Sequence, residues 1–165
     1  MELVSKKIRT ISQRSSFAFP ALVVVAHADR WTRRALAWNL KLDGHHVFTV
    51  TSSKRLLGWL ANSLCDELVP EVPDLLVVDA LLPGRRIMDL LSDLRAAGWL
   101  VPFILLSPGR LTGLEEYARS LGNALVMETP FDPVDLRTTA FFLLDRSRSK
   151  AFVNSREVAK CMSYG

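Results

Sequence analysis

The 165-residue chain holds only two cysteines, Cys65 and Cys161, in no CxxC or zinc-type spacing. That scarcity excludes a disulfide framework or a zinc ribbon, and both thiols are expected to be reduced, as in a cytoplasmic protein. No apolar run approaches the roughly 20 residues that a membrane-crossing helix needs. No glycine-rich phosphate loop follows the first apolar run, and neither a nucleophile elbow nor a Cys/His dyad is visible. Those gaps argue against a nucleotide-binding or acyl-transfer enzyme. Charge of one sign does not dominate: the net charge of +4 permits contacts with nucleic acid or acidic proteins without requiring them.

What is present is apolar and finely interrupted. The hydrophobic fraction of 49% fits one domain with a buried core rather than a disordered chain. One targeting signal has to be weighed: Lys6, Lys7, Arg9 and Arg14 precede an apolar stretch from Phe17 to Ala26, followed by Ala26-His27-Ala28. Cleavage there would remove Val23, Val24 and Val25, which read as a central strand. The sequence is therefore read as a flexible N-terminal arm over 1–20, a domain over 21–145 and a basic tail or linker over 146–165.

Short β-like runs alternate with helical stretches. The strands are expected at Leu22–Ala26, Val47–Val50, Leu75–Asp79, Phe103–Leu106 and Ala124–Met127. Their continuous β-branched and leucine content suits strands covered on both sides. A helix from about Arg30 to Leu42 follows the first strand, with Asp29 as its N-cap and Trp31, Ala35, Trp38 and Leu42 as its buried stripe. Leu56, Leu60 and Leu64 mark a second helix, and Pro70 and Pro73 bracket the loop after it. A turn at Pro83-Gly84 leads to a third helix with Ile87, Leu90, Leu91 and Leu94 inward. A fourth runs from Leu114 to Leu121. The last begins at Asp132-Pro133, with Val134, Phe141, Phe142 and Leu144 as its apolar members. This alternation predicts an α/β fold, a doubly wound five-stranded parallel sheet with helices on both faces. Chemistry in such sheets lies beyond the strand C-termini, so His27 to Asp29, Asp79, Ser107 and Glu128-Thr129 are the positions to inspect.

Two stretches in these positions resemble the CheY-like receiver domains of two-component response regulators. One is Pro73-Asp74-Leu75-Leu76-Val77-Val78-Asp79-Ala80-Leu81-Leu82-Pro83-Gly84, and the other is Pro130-Phe131-Asp132-Pro133. The resemblance covers about Ala21 to Leu144 and implies a flavodoxin-like strand order 2-1-3-4-5. It implies Asp79 as phosphoacceptor, the Leu81 carbonyl as a metal ligand and Ser107 as the hydroxyl that hydrogen-bonds the phosphoryl group. It also implies a sensor kinase or downstream signalling protein as partner, and a homodimer or partner face on the fourth helix, fifth strand and fifth helix.

Three positions depart from the family pattern. His27 and Ala28 stand where two acidic residues hold Mg²⁺, Thr129 replaces a lysine, and Val126 replaces an aromatic switch residue. Mg²⁺ takes oxygen ligands, usually carboxylates, so Asp79 with one carbonyl is expected to bind it weakly or not at all. Asp29, two residues on, is the one acid able to substitute, although capping is its ordinary job. Losing an electrostatic group of this kind commonly costs on the order of 10²- to 10³-fold in rate.

The expected function is therefore a divergent receiver that acts by protein contact, and not an enzyme. The alternative is a working phosphoacceptor labelled on Asp79 by a histidine kinase. Arg146, Arg148, Lys150, Arg156 and Lys160 give a basic tail that could touch DNA, but they supply no recognition helix. His45-His46 and Arg85-Arg86 read as solvated pairs.

Overall fold

A computed structural model describes residues 20–65 and 72–162, with residues 64–65 and 150–162 as backbone alone. Residues 1–19 of the expected arm, Pro70, and the side chains of Leu64, Cys65 and Cys161 lie outside the described residues. The elements run β1 (Leu22–Ala26), α1 (Arg30–Leu42), β2 (His46–Val50), α2 (Ser53–Cys65), β3 (Leu75–Asp79), α3 (Ile87–Ala96), β4 (Phe103–Ser107), α4 (Leu114–Leu121), β5 (Ala124–Glu128) and α5 (Pro133–Met162). The strands form one sheet in the order β2-β1-β3-β4-β5, and every pair is parallel. The expected order 2-1-3-4-5 is met.

Strand side chains alternate between faces, so one sheet feeds two cores. Val24, Ala26, Leu76, Val78, Phe103 and Leu105 pack against α2, α3 and α4 through Leu56, Leu60, Leu91 and Leu114. Val23, Val25, Leu75, Val77, Ile104 and Leu106 pack against Leu36 and Leu40 of α1 and Leu136, Ala140 and Leu143 of α5. Val23–Val25, weighed above as part of a leader, are fully buried in an internal strand.

The stripe expected of α1 is on the wrong side. Leu36, Ala37 and Leu40 face the sheet, whereas Trp31, Ala35, Trp38 and Leu42 face solvent. The helix has two apolar faces, and periodicity does not say which one meets the sheet. The sheet takes the slimmer one, where Leu36 and Leu40 reach Val23 and Val25. Of the apolar members of α5, Leu144 is buried, whereas Val134, Phe141 and Phe142 are exposed.

The basic stretch after Asp145 also differs from expectation, because α5 continues through it to Met162. Nothing between Asp145 and Met162 is Gly or Pro, and Arg, Lys and Ala favour helix, so the change in charge does not stop it.

His45 is not solvated. It is half-buried, and its Nδ1 accepts the Ala21 N–H at 3.2 Å. Burial pushes its pKa below the ordinary 6.5. Next to it, Asp43 accepts both Arg137 Nε (2.9 Å to each oxygen) and Nη2, tying the end of α1 to α5. That bond holds the Asp43 carboxyl below the usual carboxylate range. Arg95, which no sequence pattern singled out, reaches across from α3. It donates to the carbonyls of Trp99, Leu121 (2.8 Å) and Gly122 (2.9 Å), satisfying the last turn of α4. Its guanidinium lies 4.1 Å from the Phe103 ring centre.

Candidate functional site

All the strands point the same way, so their C-terminal ends share one edge. β3 delivers Asp79 there as its last residue. The side chain is only 14% exposed. Its Oδ1 accepts the Leu81 N–H at 2.9 Å, and the Asp79 carbonyl accepts the Leu82 N–H at 3.1 Å. The carboxylate is thereby held in a local turn at the start of the β3–α3 loop. That loop is pinned further on. The Pro83 carbonyl accepts both the N–H (3.0 Å) and the hydroxyl (3.2 Å) of buried Ser53 at the start of α2. Gly84 sits at φ +108°, and a Cβ there would lie 2.4 Å from Ser53 Oγ. Only glycine satisfies both constraints.

β1 delivers His27 to the same edge. Its N–H bonds the Val50 carbonyl at 3.1 Å, and its Nδ1 accepts the Asp29 N–H at 3.1 Å. An accepting Nδ1 leaves the proton of the neutral ring on Nε2. Nε2 lies 3.7 Å from Asp79 Oδ2, so His27 and Asp79 are brought together. Ala28 contributes no donor or acceptor from its side chain. Asp29 caps α1: its Oδ2 accepts the Thr32 N–H at 2.7 Å, and that bond holds its carboxyl below the ordinary value.

Sequence reasoning missed Arg33. Its Nη1 donates to the carbonyls of His27 (2.8 Å) and Ala28 (2.9 Å), so a guanidinium folds back onto the loop after β1. The available signal was a long cation in the first turn of the helix that leaves this loop.

Ser107 ends β4 and is 1% exposed. Its hydroxyl donates to the Gly109 carbonyl at 2.5 Å. Its carbonyl accepts the N–H (2.7 Å) and hydroxyl (3.1 Å) of Thr129, so these two residues also meet. The Thr129–Pro130 peptide is cis. Arg85 pairs with Asp93 of α3 at 2.5 Å. Beside this edge, a cleft of about 260 Å³ opens between the β4–α4 loop, α4 and β5. Leu111, Leu114, Glu115, Arg119, Val126 and Glu128 line it.

An octahedral Mg²⁺ site takes oxygen ligands, usually carboxylates. This edge offers the Asp79 carboxylate beside the His27 imidazole, and the Asp29 carboxylate is engaged by the Thr32 N–H. Among the described residues, no three of His, Cys, Asp and Glu gather to hold a metal ion.

No protein-family model and no curated protein matches the chain. Solved structures do match. The CheY-like receiver-domain protein of Methanospirillum hungatei shares 17% identity and a TM-score of 0.67, over 80% of this chain and 98% of that one. The receiver domain of the Francisella response regulator 1452 shares 22% identity and a TM-score of 0.66, over 77% and 98%. The chemotaxis response regulator CheY4 of Vibrio cholerae shares 16% identity and a TM-score of 0.62, over 76% and 99%. The shared property is the fold.

Proposed function

We propose that this chain, which has the fold of CheY-like receiver domains, is a non-enzymatic cytoplasmic signalling module. It acts by docking to a protein partner, and Asp79 takes little or no phosphate. The observation that carries this reading is the loop after β1: His27 Nε2 lies 3.7 Å from Asp79 Oδ2, Ala28 has no side-chain oxygen, and the Arg33 guanidinium is bonded to the carbonyls of His27 and Ala28. Phosphoryl transfer to a carboxylate is catalysed mostly by positioning and charge neutralisation. A lysine would bring a charge beside the acceptor, and the neutral hydroxyl of Thr129 is spent on the Ser107 carbonyl. The Ser107 hydroxyl is spent on Gly109. Both would have to break these bonds to serve a phosphoryl group.

The partner is a sensor kinase or a downstream signalling protein. The α4–β5–α5 face is the dimer or partner surface by analogy with the fold. Val126 is too small to act as an aromatic lever between Asp79 and that face, so docking is expected to be independent of phosphate.

Beryllofluoride with Mg²⁺, a stable mimic of the phosphoryl group, tests this by amide NMR. The expected result is no saturable shift change at 79–84 or 107–109. Saturable changes that disappear in Asp79→Asn would establish a working phosphoacceptor instead.

A further inference from the structure

The solvent face of α1 has no role in the edge chemistry, yet it exposes three large apolar side chains. Trp31, Trp38 and Leu42 stand at i, i+7 and i+11, so they form one stripe along the helix. They are 73%, 66% and 57% exposed. Arg30, Arg34 and Lys41 flank the stripe on one side by the same helical geometry. The guanidinium carbons of Arg30 and Arg34 lie 5.9 and 6.0 Å from the centre of the Trp31 ring. Between Arg30 and Leu42 there is no acidic residue. The two acids that bound the helix are already engaged: Asp29 caps Thr32 and Asp43 holds Arg137. Phe141, 70% exposed, follows Arg137 by one turn of α5, the helix that Arg137 ties to the end of α1 through Asp43.

We infer that this face of α1 docks on an anionic phospholipid surface. Tryptophan prefers the headgroup region, where the ring is shielded and its N–H stays wet. Arginine and lysine beside it meet lipid phosphates while their stems lie along the apolar zone. The stripe joins two tryptophans and a leucine to flanking cations on the exposed side of a helix. That composition matches a deformable negative surface, which needs no groove cut to its shape. The basic residues Lys6, Lys7, Arg9 and Arg14 precede this part of the chain and add charge of the same sign. No helix of the described residues is long and apolar enough to cross a membrane, so the contact is peripheral.

Co-sedimentation of the full chain with vesicles tests this at low and high salt. The vesicles are pure phosphatidylcholine or phosphatidylcholine mixed with phosphatidylglycerol. The expected result is binding to the anionic vesicles alone, weakened by salt. Trp31→Ser with Trp38→Ser should lower the partition at least about tenfold. Neutralising Arg30, Arg34 and Lys41 to Gln should cost about fivefold for each charge removed. All five positions are at the surface, and a circular dichroism melt confirms that the variants fold. Three results would overturn the inference. One is absence of binding at low salt. Another is binding that the Trp substitutions leave unchanged, which would assign it to the N-terminal arm. The third is capture by an acidic polypeptide without capture by vesicles, which would make the face a protein-docking surface.

Discussion

His45 is a residue whose burial ties the stability of the fold to pH. Only an unprotonated Nδ1 can accept the Ala21 N–H, and burial already disfavours the charged ring. The unfolded chain takes up a proton near the ordinary value of 6.5, whereas the folded chain resists until a lower pH. Stability contributed by His45 is therefore complete above that value and is lost as pH falls through 6.5 toward the folded pKa. The urea midpoint should drop between pH 7.5 and 5.5, and His45→Gln should flatten that drop. An unchanged slope in the variant would refute the assignment. Asp43, with its lowered pKa, acts in a separate window, losing its contribution only as pH falls below about its ordinary 3.8. At this scale the sequence was partly legible. Asp79, Ser107 and Thr129 stand at the strand ends because the strand pattern puts them there. Arg33 and Arg95 were not legible, since each acts through a long side chain that folds onto backbone carbonyls, which no spacing rule encodes.

The starts of α1 and α5 were readable because their capping signals are local. Asp29 accepts the Thr32 N–H, and Asp132 Oδ1 accepts the Val134 N–H at 2.8 Å. The buried stripe of α3 was readable because Ile87, Leu90, Leu91 and Leu94 are its chief apolar face. In α1 two faces compete, and the large aromatics are the misleading ones, because residue size does not decide which face a sheet accepts. The end of α5 was misread because a basic composition was taken for a stop. The corrected faces predict opposite outcomes on one helix. Leu40→Ala should cost about 2–5 kcal/mol, as a fully buried leucine does. Trp38→Ser should stay within about 0.5 kcal/mol in the same urea titration. Equal losses would mean that Trp38 is packed and the face assignment is wrong.

For the whole molecule, alternation of strands and helices was sufficient to specify a parallel sheet, and the strand alternation explains its two cores. The fold places Asp79 at the edge where receiver chemistry is done. On the reading proposed above, His27, Ala28 and Thr129 stand where the resemblance would place the groups that perform that chemistry. Fold and site thus carry separate information, and the proposed function, docking without being charged by phosphate, rests on the site and not on the fold. The most direct measurement is intact mass after incubation with acetyl phosphate and Mg²⁺, on the native chain and on His27→Asp/Ala28→Asp/Thr129→Lys. The account predicts an unmodified native chain and a phosphoryl adduct on the triple variant. A native chain that gains the adduct, and loses it in Asp79→Asn, would contradict it.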